Sequence, residues 1–183
     1  AEATYLFPDA QWYISETKDE TTFAAKAGNN GEPHNHNDVG SFELFRRGTV
    51  LLHDLGSGEY NKDYFSSKRY EFFCCSSRGH SVPIVNGTYQ AEGTEHAATD
   101  VILREDGMCA DIAGAYEEPT LRSLVRDFRF DRMEGSLRLT DTYRFDKTPS
   151  SVTERFITPA EPVIGGDGTV TIRSESETLT VTY

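Results

Sequence analysis

The feature that most limits this chain is its alternation. From residue 10 to residue 182, apolar and polar side chains take turns over short stretches, and Gly-containing pairs separate many of the stretches. A period of two sends successive side chains to opposite faces of a strand, so each segment can bury only one face. Such segments must pair into sheets, and the sheets must stack. Residues 10–15 (AQWYIS), 22–27 (TFAAKA), 39–46 (VGSFELFR) and 49–54 (TVLLHD) read as strands, the last two joined through Arg47-Gly48. Asn86-Gly87, between 81–85 and 88–91, is the clearest hairpin signal, because both residue types accept the positive φ of a type I′ turn. Asp106-Gly107 separates 99–104 from 108–114, and Glu134-Gly135 separates the alternating run Leu124, Arg126, Phe128, Phe130 from Leu137, Leu139, Thr142, Tyr143. Residues 152–157, 168–173 and 178–182 continue the pattern. About eleven short strands predict an all-β fold, an antiparallel β-sandwich, with residues 1–183 as a single domain. The last segment stops in mid-strand at Tyr183, as expected of a piece of a longer chain.

Charge narrows the function. The net charge is −12 and the pI about 4.8, which argues against nucleic acid as a partner, because that needs a basic footprint. A polyanionic ligand would need positive charge concentrated locally. No run approaches the roughly 18 apolar residues that a membrane-spanning helix requires, so no membrane partner is expected. The chain begins at Ala1 rather than Met, so the lack of a signal segment says little about destination. Cys74 and Cys75 are adjacent, a poor geometry for a mutual disulfide, and with Cys109 they read as free thiols.

Of the five histidines, two fall in one stretch, GEPHNHNDVGSFEL, where His34 and His36 stand between asparagines and an aspartate just before an apolar strand. Antiparallel pairing of that strand with 49–54 brings Asp54 back towards His36, and His80 lies just before the next strand. Two imidazoles and a carboxylate form a common open ligand set for zinc. Asn37 and Asp38 are candidates to orient the imidazoles by hydrogen bonds. His53 should point to the opposite face from Asp54, and His96 reads as a solvated loop residue. Cupins also carry an HxH pair, but Glu43 lies too far from His36 to match their pattern. If residues 34–36 are extended, both imidazoles point the same way and both could be ligands. The ordinary alternative is a hydrogen-bonded polar loop that binds no metal.

Three blocks in order, "EPHNHNDVGSFELF", "HDLGSGEY" and "SSRGHSVPIVNG", resemble the signature region of heparinase II/III-type polysaccharide lyases, a family that includes alginate and oligoalginate lyases. The resemblance covers residues 30 to 90. It implies an antiparallel β-sandwich that follows an N-terminal α/α toroid, with the active site in the cleft between them. It implies zinc held by His36, Asp54 and His80, with only His36 of the HxH pair as a ligand and His34 facing an anionic, uronic-acid-containing polysaccharide or oligosaccharide cleaved by β-elimination. A tyrosine after the aspartate, Tyr60 or Tyr64, would line the cleft. It also implies a periplasmic or secreted bacterial location. β-Elimination needs a base, an acid and a cation for the uronate carboxylate. Lys62, Lys68, Arg69 and Arg78 offer positive charge, with Arg69 and Arg78 as the substrate-binding candidates, although Glu59, Asp63 and Glu71 nearly cancel it and a solvated mixed-charge loop reads as well. Nothing in the chain reads as the paired helices of the toroid, its expected partner, so substantial lyase activity is not expected of this chain alone.

Two other readings compete. A β-sandwich that holds carbohydrate or a partner domain without chemistry could use Trp12 and the Tyr/Phe-rich loop as stacking surfaces. A metal-free HNHND plug would be purely structural. The lyase reading differs from both in requiring an exposed His34 beside the metal.

Overall fold

A computed structural model describes residues 2–183. The strands are β1 (Ala3–Phe7), β2 (Trp12–Glu16), β3 (Thr21–Lys26), β4 (Asn29–Asn30), β5 (Phe42–Arg46), β6 (Thr49–Leu52), β7 (Ile84–Val85) and β8 (Gly93–Ala97) in the first half. The second half adds β9 (Thr99–Arg104), β10 (Gly107–Asp111), β11 (Leu121–Asp131), β12 (Ser136–Phe145), β13 (Val152–Thr153), β14 (Pro162–Ile164), β15 (Thr169–Ser174) and β16 (Glu177–Thr182). All pairings are antiparallel. No α-helix occurs among the described residues, and no helix is long and apolar enough to cross a membrane.

Two sheets make the sandwich. The first runs β1-β2-β3-β5-β6 and the second β12-β11-β10-β9. Alternation decides what lies between them. In β3 the buried residues are Thr21, Phe23 and Ala25, while their neighbours face outward. In β11 the buried set includes Leu124, Arg126, Phe128 and Phe130. The Phe23 ring packs against both Phe128, at 5.4 Å between centroids, and Phe130, at 5.5 Å, and Phe42 meets Phe128 at 5.2 Å. Aromatic pairs at such spacings add packing energy beyond the area they bury. The small β14-β15-β16 sheet docks on β6 through buried Ile172 and through Glu177, which pairs with Arg46 and Arg47.

The strand count exceeds expectation, and the reasons are local. β1 was not expected because Tyr5, Leu6 and Phe7 are apolar in succession and all exposed, as an edge strand permits. β8 carries the polar sequence GTEHA, which reads as loop. Conversely, 88–91 forms no strand and makes only the isolated bridges Val85 to Thr88 and Gln90 to Tyr116. The strand expected at 152–157 shortens to Val152–Thr153.

One inward position in β11 is not apolar. Arg126 is 1% exposed, and all five of its N–H groups are used. Nε donates to Asp141 Oδ1 at 2.9 Å, and Nη2 donates to Asp141 Oδ2 and to Glu154 Oε2. Nη1 donates to the backbone carbonyls of Gly40 at 3.1 Å and Ser81 at 2.8 Å. Gly40 lies just after HNHND and Ser81 just after His80, so this side chain fixes the exits of both histidine segments. Gly40 adopts φ +82°, and a Cβ there would come within 2.9 Å of the Ile112 side chain, so a larger residue would be strained and crowded at this position.

Truncating one partner of a buried pair strands the other charge. Arg126→Met is expected to lower the unfolding free energy by about 3–5 kcal/mol in urea titration, whereas Arg122→Ala, at the solvent-facing pair with Asp146, should leave the midpoint unchanged.

Candidate metal centre and the adjoining loop

Three segments meet at one place. His36 comes from the loop before β5, Asp54 from the residues after β6, and His80 from the end of a short 3-10 turn at Ser77–Gly79. One ligand-type atom from each lies within 4.8 Å of the others. His36 and Asp54 are half-buried, and His80 is buried. The two imidazole centroids are 5.2 Å apart.

The hydrogen bonding of His80 suits a ligand. Its Nε2 lies 2.9 Å from the carbonyl oxygen of Cys74, which can only accept, so Nε2 carries the proton. In the neutral ring that leaves the Nδ1 lone pair free. Nδ1 is buried and 2.9 Å from Asp54 Oδ2, yet the two are not aligned as a hydrogen bond. Two lone-pair atoms this close need a positive charge between them: a proton on Nδ1 in the metal-free chain, or a metal ion that takes both as ligands. A backbone carbonyl that fixes the far nitrogen of a ligating histidine is a recurring arrangement in metal sites. The residues present therefore fit a divalent cation such as zinc.

Titration directions follow from the same neighbours. Burial depresses His36, and the charge of His80 adds to the effect. Burial also opposes charge on His80, but Asp54, the charge of Asp38 and the Cys74 carbonyl outweigh it and raise its pKa. Burial alone would raise Asp54; His80 and the backbone N–H of Gly56 hold it below its ordinary value.

His34 lies outside the cluster. It is exposed and sits at φ +60°, in the left-handed region, so the same-side argument for an extended 34–36 segment does not apply. Its conformation is braced from behind. Arg69 donates from Nη2 to the carbonyls of His34 at 2.9 Å and Asn35 at 3.0 Å, from Nε to Asn35 at 3.1 Å, and from Nη1 to Tyr64 at 3.2 Å. Its guanidinium also lies over the Tyr64 ring, 4.3 Å from the centroid. The Tyr70 hydroxyl donates to Asn35 Oδ1 at 2.8 Å. His34, Asn35, Tyr64, Arg69 and Tyr70 line a shallow depression of about 470 Å³. Tyr64 is buried, while Tyr60 is 66% exposed and 5.0 Å from it, ring to ring. Arg78 turns towards Ser76 Oγ and the Glu71 carbonyl and borders a second depression with Asn37 and Tyr89. Lys68 faces Asp63 at 3.7 Å.

Several expectations change. Asn37 and Asp38 do not orient the imidazoles: Asn37 donates to the Gln90 carbonyl, and Asp38 accepts from Lys26 at 2.7 Å. His96 is not a loop residue. It belongs to β8, and its ring meets the Gly114 carbonyl at 3.3 Å. His53 stays outside the cluster, as expected. Sequence reasoning missed Gln90, whose buried side-chain amide bonds both the N–H and the C=O of Val39, at 3.0 and 2.7 Å, and also accepts from Asn30. It missed Tyr70 as well. A lone glutamine or tyrosine in a polar stretch carries no signal of such a role.

The family described as heparinase II/III-like, C-terminal, matches residues 2–158. Among solved structures, a heparinase III with methylated lysines superposes with a TM-score of 0.68 at 18% identity, over 94% of this chain and 26% of that one. The heparan sulfate lyase HepC from Pedobacter heparinus gives 0.67 at 20% identity over 92% and 26%, and a mutant of it gives 0.67 at 19% over 92% and 27%. These likenesses establish the fold, and the chain spans about a quarter of the length of those proteins. No curated protein sequence matches significantly.

In the metal-free chain the charged His80–Asp54 pair exists only in a window of pH. His80, with its pKa raised, contributes stability below its unfolded value of about 6.5 and loses it as pH rises through the folded value. Asp54, with its pKa lowered, contributes above its unfolded value of about 3.9 and loses it as pH falls through the folded one. Asp54→Asn is therefore expected to cost most between those two values and progressively less on either side, as read by urea unfolding at stepped pH.

Proposed function

The chain belongs to the heparinase II/III-like C-terminal family, and from that premise we propose that it forms one wall of the active-site cleft of a polysaccharide lyase and binds one zinc ion through His36, Asp54 and His80. The observation that carries the proposal is the convergence of those three ligand atoms at a buried His80 Nδ1 that faces Asp54 Oδ2 at 2.9 Å and whose ring is oriented by the Cys74 carbonyl. Bound zinc supplies a cross-link among three loops.

The substrate is a uronic-acid-containing polysaccharide, cleaved by β-elimination. A base removes the proton on the carbon beside the carboxylate, an acid protonates the departing 4-linked oxygen, and a cation or hydrogen-bond donor holds the carboxylate. In this reading His34 faces the substrate and takes part in carboxylate binding or proton transfer, because its ring is solvent-facing on a braced loop. Tyr60 or Tyr64 is the cleft tyrosine. Tyr60 is the more accessible, while the Tyr64 hydroxyl titrates higher than usual because its ring is buried. Arg78 supplies positive charge to the uronate, and Arg69 acts on the substrate through the loop it holds as well as by its charge. An α/α toroid of the same protein provides the facing wall, and the location is the periplasm or outside the cell. A binding-module reading draws on Trp12, 41% exposed beside Phe7 on the outer strands, as a surface for sugar or a partner domain.

Metal content by mass spectrometry is expected to give about one zinc per purified chain, lost in both His36→Ala and His80→Ala and retained in His34→Ala; a well-folded, zinc-free wild type would overturn the metal assignment. This chain alone is expected to show no appreciable formation of unsaturated uronate from alginate or heparan-type substrates, by absorbance of the new double bond. Turnover by the isolated chain would show that it carries a complete catalytic set.

A further inference from the structure

Cys74 and Cys75 are adjacent in sequence, and their Sγ atoms are 3.9 Å apart, in van der Waals contact. Cys75 is fully buried, while Cys74 is half-buried and reachable from solvent. The backbone around the pair belongs to the candidate metal centre. The Cys74 carbonyl accepts from His80 Nε2, and the Cys75 carbonyl accepts the backbone N–H of Asn37, next to His36, at 2.9 Å. The Cys75 N–H is held by the Phe72 carbonyl at 3.1 Å. The peptide that joins the two cysteines is thus tied to His80, and the peptide after it to the segment carrying His36.

We propose that Cys74 and Cys75 form a reversible dithiol–disulfide modification site, and that closing the disulfide releases the carbonyl clamp on His80. The metal consequence rests on the zinc reading above; the modification itself does not. The oxidant is a low-molecular-weight disulfide. The Cys74 thiolate attacks it, forms a mixed disulfide and expels one thiolate. Cys75, its proton passing to solvent, then attacks the Cys74 sulfur and expels the second thiolate. The cysteines lose two electrons, the small disulfide gains them, and two small thiols leave. Cys74 goes first because it is accessible. Cys75 follows because it is already in contact, which offsets its unfavourable burial.

Geometry makes the bond labile and consequential. Successive Cα atoms are about 3.8 Å apart, below the roughly 4.4–6.8 Å that a relaxed disulfide spans, so the bond cannot be a permanent staple. Strained disulfides are those that reduce readily. Closing one here forms a small ring containing the Cys74–Cys75 peptide, and that peptide must rotate to admit it. The Cys74 oxygen turns with it, and His80 Nε2 loses its acceptor. Loss of such an outer partner typically weakens metal affinity by about 10–100-fold.

The test treats the purified chain with oxidised glutathione, then alkylates and digests it. The expected result is a peptide lighter by two hydrogens with Cys74 and Cys75 both unalkylated, Cys109 alkylated, and full recovery with dithiothreitol. Imidazole 15N spectra of the metal-free chain should show the His80 tautomer shifting on oxidation, and no such shift in Cys75→Ser. Zinc affinity should fall at least tenfold on oxidation of wild type only. A stable glutathione adduct at Cys74 with no internal closure, or a closed disulfide with unchanged His80 signals, would overturn the proposal. If the chain binds no zinc at all, the mass and imidazole readouts still decide this site, and only the zinc reading fails.

Discussion

The exits of both histidine segments hang from one buried cation. Arg126 occupies an inward position of β11 where its neighbours on the same face are leucine and phenylalanine. Its charge is affordable only because Asp141 stands directly opposite in register on β12 and Glu154 approaches from the segment beyond. Burial opposes its charge, yet these two carboxylates hold the guanidinium firmly protonated. With two donors left over, it reaches across the sandwich to the carbonyls of Gly40 and Ser81. A hydrophobe in its place could fill the space but could not hold two backbone segments at fixed separation. Such a group is costly to bury and specific once satisfied.

A second layer of backbone recognition completes the platform. Gln90 bonds Val39 as a neighbouring strand would, with one acceptor and one donor, and Asn30 closes the arrangement by donating to both Gln90 and the Ala91 carbonyl. Arg69 does the same for the carbonyls of His34 and Asn35. The histidine loop is therefore held by side chains that imitate strand pairing. This lets it depart from extended geometry at His34 while the backbone carbonyls of His34 and Asn35 keep partners.

The sequence carried the sandwich in its turns and its alternation. Arg47-Gly48 and Asn86-Gly87 both adopt positive φ at two successive positions, as hairpin turns of that kind require. What followed Asn86-Gly87 was misread as a strand because TYQA has strand-like residues, whereas the Gln90 side chain, not a ladder, does the pairing. β1 and β8 escaped notice because one ends in three successive apolar residues on an open edge and the other has polar residues at its centre. The meeting of His36, Asp54 and His80 followed from hairpin geometry and ordered motifs, and the structure does bring them together. The carbonyl on His80 could not have been foreseen, because backbone acceptors leave no residue-type signature. The reassignment of Asn37 and Asp38 was equally hidden: Gln90 lies 53 residues from Asn37, and only tertiary structure makes them neighbours.

The anchoring by Arg126 has a consequence for biosynthesis. The contact to Gly40 spans 86 residues and the contact to Ser81 spans 45. When a ribosome has released the segments that bear His36 and His80, the arginine that fixes their exits has not yet been made, and its counter-ions follow still later. Both imidazoles thus emerge before the framework that aligns them, and the centre can take its final shape only after β12 has joined the second sheet and Glu154 has reached Arg126.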